Sequence, residues 1–370
     1  MISLYFHIPF CEKKCNYCDF YSVNADDEQI RNYIAMLKKE IALRKTNETV
    51  ETIFFGGGTP SILKESEFSE IADFIKANFE LSPNCEWTIE VNPESFTEEK
   101  AENWLKHGVN RLSLGVQSLI DAELGICGRP HTAEQATAIL QSEILQKFAS
   151  VSVDLIYGLP EQTVKTFASG LQSVIGYPAV NHISLYELTI AENTRFEFER
   201  EKYRFPAEEE IEKIVEYSRH FLKEFGYERY EVSNFSKEGK RCRHNEQYWN
   251  GSKYMGFGAG AHSFDGKNRF ANYSDLHKYE QSLEDNILPI VFCEKLDSKR
   301  RRLEFLMLSL RTVNGFSVSG FRRKFKQDIL LQNENYVQNL VKDGYMIIDG
   351  DICKLTDKGL DIADGVAARL

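Results

Sequence analysis

Six short apolar runs, each followed by a longer amphipathic stretch, leave this chain few ways to fold. They predict strands over Ile2–Ile8, Glu51–Phe55, Glu86–Asn92, Arg111–Val116, Val151–Tyr157 and His182–Glu187. All are rich in β-branched and aromatic residues. The intervening periodicity predicts helices near Gln29–Leu43, Lys64–Asn78, Thr97–Lys106, Ala133–Phe148, Val164–Ile175 and Ala207–Phe225. Strands alternating with helices pair in parallel across helical crossovers, so the fold class is α/β. Six such units fit an open, partial (β/α)6 barrel better than a closed eight-stranded one. Loops at the C-terminal strand ends carry the chemistry of such folds, and Glu90, Gln117, Arg129, Asp154 and Glu187 fall there. Any one of them reads equally well as a satisfied loop residue; five on successive units point to a site.

From about Asp297 the pattern changes. Helical stretches at Arg300–Leu310, Val318–Lys324 and Ile329–Asp343 lead to a β-hairpin turning at Asp349-Gly350, which describes a smaller C-terminal α+β domain of winged-helix-like form. The expected division is 1–228 for the barrel, 229–296 for a connecting segment and 297–370 for this domain. A net charge of −11 argues against a nucleic-acid partner, because polyanion binders carry a basic surplus. The C-terminal part is therefore expected to be a packing or lid domain, and Lys299–Arg302 the solvated start of a helix. No stretch approaches the roughly 18 apolar residues of a membrane span. The first residues show no basic leader, which makes the cytoplasm the expected compartment.

Eight cysteines in a reducing compartment do not suggest a disulfide framework. Cys85, Cys127, Cys242, Cys293 and Cys353 are scattered, whereas Cys11, Cys15 and Cys18 form C-x3-C-x2-C directly after the first strand. Thiolates favour zinc or iron–sulfur centres. Structural zinc takes four ligands, and His7 would complete such a set as the alternative reading. On a four-iron cluster, three thiolates instead leave one iron open. Gly56-Gly57-Gly58-Thr59-Pro60 ends the second strand, and glycines there let backbone approach a ligand closely. A tight turn is the plain alternative. A phosphate loop is excluded because no Gly-Lys-Ser/Thr follows.

These two motifs resemble those of the radical-SAM superfamily. The resemblance implies a 4Fe–4S cluster on Cys11, Cys15 and Cys18 whose open iron binds S-adenosylmethionine. One-electron cleavage would then release a 5′-deoxyadenosyl radical, the cofactors carrying the hard chemistry. The segments Tyr5–Cys11, Gly56–Pro60, Glu90–Pro93, Gly115–Ser118, Gly128–His131 and Asp154–Pro160 narrow the match. They resemble the oxygen-independent coproporphyrinogen III oxidase family together with its HemW heme-chaperone branch. The likeness implies that Tyr5 and Phe20 lie against the cofactor and that Gly57, Gly58 and Thr59 hold the methionine part. Glu90, Gln117, Arg129 and Asp154 would line the rest of that pocket.

Three features favour the chaperone branch. Phe20 stands where the oxidases have a further cysteine. The chain begins on its first strand, whereas the oxidases carry an N-terminal extension. Cys242–Trp249 contains H-N-x-x-Y-W, which resembles a heme-binding motif. That likeness implies His244 as iron ligand, Tyr248 and Trp249 as flat walls and Arg243 as a propionate partner. The structural alternative makes His244 a hydrogen-bonded loop histidine and Trp249 a core anchor. Gly256–His262 resembles the same branch, with His262 and His7 ranking behind His244 as heme ligands. The implied function is a heme chaperone that binds heme and passes it to acceptor hemoproteins such as respiratory cytochromes. The alternative is an enzyme, the anaerobic oxidative decarboxylase that turns coproporphyrinogen III into protoporphyrinogen IX. A homodimer and a peripheral membrane contact are compatible with either.

Overall fold

A computed structural model describes residues 1–370. Its main sheet starts with β1 (Ile2–Ile8), β2 (Val50–Gly57), β3 (Leu81–Val91), β4 (Arg111–Gln117), β5 (Ser150–Tyr157) and β6 (His182–Glu187), side by side in sequence order. Neighbours in this series pair in parallel. This is the expected (β/α)6 arrangement. Helices cover the sheet, so β1 and β5 are buried along almost their whole length, although in β5 Ser150, Ser152 and Asp154 alternate with Val151, Val153 and Leu155.

The helix Asp27–Leu43 after β1 illustrates the local logic. Asp26 and Gln29 form a reciprocal capping box, and Ile30, Tyr33, Ile34, Leu37 and Ile41 recur at helical spacing on its buried face. Two expected helices are broken. Ala133–Phe148 is a helix to Gln141 and then a short 3-10 turn, Glu143–Lys147, capped by Ser142. Ile329–Asp343 divides at Asn333 into Ile329–Gln332 and Glu334–Lys342. There the Asn333 amide donates to the Ile329 carbonyl at 3.0 Å and competes with the helical backbone bond.

The stretch after β6 does more than connect. It supplies β7 (Glu228–Arg229) and β8 (Asn234–Ser236) beyond β6, then β9 (Tyr254–Phe257), β10 (His262–Phe264), β11 (Asn268–Asn272) and β12 (Ile290–Lys295) beyond β1. The sheet therefore has twelve strands. β9 runs parallel to β1, and β10 to β12 are antiparallel. These strands are short and glycine-punctuated, which hid them from pattern reading. The C-terminal part has its own core, in which Leu306, Leu310, Phe316, Phe321 and Leu355 pack together. Its small antiparallel sheet comprises β13 (Phe316–Ser317), β14 (Met346–Asp349) and β15 (Ile352–Leu355). Gly350 has φ +57° at the turn of the expected hairpin. No helix is long and apolar enough to cross a membrane.

Candidate functional site

The cysteine loop leaves β1 and is tied down at both ends. The Cys11 amide donates to the Val23 carbonyl at 3.0 Å and the Val23 amide to that of Pro9 at 2.7 Å. Further along, the Asn16 amide donates to the Cys127 carbonyl at 2.9 Å, and the Asn16 side chain reaches that of Ile126 at 2.7 Å. Cys11, Cys15 and Cys18 then face one cavity of about 380 Å³ at the C-terminal ends of the parallel strands. The cavity brings together most of the expected residues: Phe20, Gly57, Gly58, Thr59, Glu90, Gln117, Arg129 and Asp154, with Glu187.

The glycines bring the second loop close to the first. Gly57 has φ +115°, and a Cβ there would lie 2.7 Å from the His7 ring. A Cβ on Gly58 would lie 2.6 Å from the Phe10 carbonyl oxygen. Their amides and that of Thr59 meet neighbouring groups directly: Gly57 N–H donates to Glu90 at 3.2 Å, Gly58 to Ile8 O and Thr59 to Phe10 O, each at 2.8 Å.

A chain of polar contacts then closes around the thiols. Thr59 Oγ1 lies 3.5 Å from Cys11 Sγ and accepts from Asn92 Nδ2 at 2.9 Å. Arg129 donates to Asn92 Oδ1 at 2.8 Å, to the Gly115 carbonyl at 2.9 Å and to Cys15 Sγ at 3.5 Å. Asn92 was missed as a site residue. Its position, last before Pro93 at a strand end, was the available signal.

The electrostatics are those of a closed polar pocket. Burial, followed by the charge of Asp154, pushes the Glu90 carboxyl up to about 8, while the Gly57 N–H opposes the shift. Burial also raises Asp154, against hydrogen bonds from Ser184, Ser113 and Ser152. Cys18 rises to about 11, again through burial, with the Phe20 backbone pulling the other way. Arg129 Nε is buried without a partner. Gln117 holds φ +65°, a conformation rare for a residue with a side chain and one that concentrates at functional sites.

This donor set fits a 4Fe–4S cluster with S-adenosylmethionine. Three soft thiols share a cavity with an arginine cation, carboxyls and glycine backbone. No three His, Cys, Asp or Glu side chains converge as ligands of a single metal ion; a cluster that gives each thiolate its own iron does not ask for such convergence. His7 is not poised to be a fourth zinc ligand. Its ring nitrogens meet the Tyr5 hydroxyl at 3.0 Å and the Tyr21 carbonyl at 3.2 Å.

Other expected residues lie elsewhere. Tyr5 and Tyr248 line a second cavity, which shares Asp19 and Phe20 with the first. Trp249 lines a third, against the C-terminal part, and the Arg311 guanidinium lies 5.5 Å from its ring centroid. His244 is only 1% exposed and hydrogen-bonded within the fold, on the helix Arg243–Trp249 rather than on a loop. Its Nδ1 is 2.7 Å from Thr52 Oγ1, and its Nε2 is 2.9 Å from the Tyr248 hydroxyl. Thr52 gives its own proton to Ser3, so Nδ1 carries the hydrogen and Nε2 accepts from Tyr248. Both nitrogens are thus engaged within the chain. Arg243 likewise donates to the carbonyls of Asn84 and Glu51, both at 2.8 Å, rather than standing free for a propionate.

Comparison with known proteins gives a consistent kinship. Residues 5–172 match the radical SAM superfamily. The chain is 32% identical to the heme chaperone HemW of Lactococcus lactis, covering 98% of this chain and 96% of that one. It is 30% identical to the heme chaperone HemW of Bacillus subtilis, over 97% and 96%. In fold it is similar to the coproporphyrinogen III oxidase HemN of Escherichia coli, a radical SAM enzyme. The TM-score is 0.87 and the identity 24%, over 99% of this chain and 89% of that one.

Proposed function

The chain belongs to the radical SAM superfamily and, within it, to the heme chaperone HemW family, and from that premise we propose that it binds heme and passes it to acceptor hemoproteins in the cytoplasm, respiratory cytochromes among them. The observation that carries this reading is kinship with HemW proteins at 30% identity or more over nearly the whole length of both chains. Family membership brings a 4Fe–4S cluster and S-adenosylmethionine. Cys11, Cys15 and Cys18 would hold the cluster. Gly57, Gly58 and Thr59 would meet the methionine end, and Glu90, Gln117, Arg129 and Asp154 the remainder. When bound, the pair supplies one-electron chemistry at a sulfonium. The chain's own part is to hold the thiols on a pinned loop, to set Arg129 beside Cys15 and to enclose the carboxyls. The C-terminal part acts as a packing or lid domain, and its Leu308 reaches the walls of the second and third cavities.

Likeness to the oxidase is a likeness of fold, and Phe20 in place of a further cysteine supports the chaperone over the decarboxylase. The deciding experiment is anaerobic. Reconstituted full-length protein is given coproporphyrinogen III, S-adenosylmethionine and a reductant, beside a hemin titration. Hemin uptake without protoporphyrinogen IX is the expected result. Catalytic decarboxylation without hemin uptake would make the chain an oxidase.

A further inference from the structure

Heme iron needs a nitrogen that the fold has left free, and of this chain's eight histidines His7, His182 and His244 have both ring nitrogens engaged. His7, His107, His131, His182, His220 and His244 each engage a ring nitrogen within the chain. His262 and His277 do not. His277 stands on the exposed face of the helix Leu276–Glu284. His262 is exposed too, but it lines the second cavity, whose volume is about 630 Å³. That size lies within the roughly 300–1,000 Å³ range of sites for small molecules and cofactors.

The cavity suits a flat, largely apolar ring. Tyr5, Phe20, Tyr248, Tyr254, Phe264 and Leu308 form much of its lining. Arg269 is its cation, engaging Glu304 through Nε and Nη2 and the Tyr254 hydroxyl through Nη1. That leaves two of its five N–H groups for a carboxylate.

The turn between β9 and β10, at whose end His262 stands, is braced by a buried network. Glu40 and Arg44 form a fully enclosed ion pair at 2.7 Å. Arg44 donates to the Gly256 carbonyl at 2.6 Å and to Ser263 Oγ at 3.0 Å, while Glu40 accepts from the Gly258 amide at 2.8 Å. The glycines between are obligatory. A Cβ on Gly256 would lie 2.0 Å from the His262 carbonyl oxygen, and Gly258, at φ +101°, passes within 2.3 Å of the Tyr33 hydroxyl on the same test. This explains Gly256–His262 as a turn built to deliver one imidazole.

We propose that heme sits in this second cavity with His262 as its iron ligand, Tyr248 and its aromatic neighbours against the porphyrin, and Arg269 toward a propionate. His244 then acts one step back, as a positioning residue that holds the Tyr248 hydroxyl. Because Asp19 and Phe20 border both cavities, the porphyrin lies next to the cluster site. The assignment rests on the chain binding heme at all.

Hemin titration of the full chain, followed at the Soret band, separates the two claims. His262→Ala should weaken binding by at least the roughly tenfold that loss of a mere outer-shell partner costs a metal site. It should also alter the bound spectrum, and free imidazole should restore the wild-type band. His277→Ala, the other unengaged histidine, should change nothing. Wild-type affinity and spectrum in His262→Ala would overturn the ligand assignment while leaving the chaperone reading intact. Failure of the wild-type protein to take up hemin would overturn both.

Discussion

The cysteine loop and the helix Arg243–Trp249 each gather side chains able to bind a metal centre, but they hold them in opposite states. On the loop the three thiols face a cavity, and around that cavity Arg129 Nε is buried without a partner and Gln117 sits at a strained φ. On the helix His244 has both nitrogens engaged, and its ring packs against Phe54 at a centroid distance of 5.0 Å. A buried polar group without a partner calls for an explanation; Arg129 Nε stands in the cysteine cavity, and on the helix Trp249 Nε1 is the unpartnered group, against the third cavity. For the metal-binding side chains themselves the difference holds, the thiols facing a cavity and His244 being held on both sides.

The largest effect should come from the loop. Changing Cys11, Cys15 or Cys18 to Ala is expected to abolish the visible iron–sulfur absorbance after anaerobic reconstitution, with bound iron falling in parallel, while far-ultraviolet dichroism stays native. An intact cluster in any of the three would break the comparison from that side. His244→Ala tests the other side. It leaves the buried hydroxyls of Thr52 and Tyr248 without their histidine partner and opens a cavity beside Phe54. A loss of about 2–4 kcal/mol in unfolding free energy is expected, read by urea denaturation. The cluster absorbance should remain, and hemin affinity of the folded fraction should fall far less than in His262→Ala. If hemin binding vanished with stability unchanged, His244 would belong to the site after all.

What could be read from the sequence follows the same division. The buried parts of β1 to β6 were legible as apolar runs, and β6 was placed to the residue, but β3 starts at Leu81 rather than Glu86, because its first residues include polar ones and are at least partly exposed. Strands β8 to β12 have three to six residues each and lean on the edges of an existing sheet, so no local pattern announces them. The cysteine cavity was legible because its three cysteines lie close together in sequence and its walls follow strand ends in order. The state of His244 was not, since it depends on Thr52, nearly two hundred residues away. Motif spacing says which residues are present. It does not say which of their nitrogens remain free, and for that reason His262, ranked behind His244 on motif alone, comes forward.

The smallest expected effect, and the sharpest test of the loop's unsatisfied state, concerns Glu90. An ordinary glutamate titrates near 4.5, but this one is held at about 8 by burial and by Asp154. The folded protein therefore binds this proton more tightly than the unfolded chain does. The Glu90 contribution favours folding least at high pH: stability declines as pH rises through the unfolded value and levels off above about 8. Ligand binding runs the opposite way. S-adenosylmethionine carries a sulfonium, and a cation beside Glu90 favours the carboxylate, so Glu90 should give up its proton on binding. Affinity measured by calorimetry should then rise with pH by up to about tenfold per unit until it flattens near 8. Buffers of different ionisation enthalpy should reveal the released proton. Glu90→Gln keeps an acceptor for the Gly57 N–H but cannot ionise. It should flatten the pH profile, abolish the proton release and raise the stability of the unliganded chain at alkaline pH. If the slope survived in Glu90→Gln, the titrating group would be another, and Asp154, the second enclosed carboxyl of the same cavity, would be the next to change.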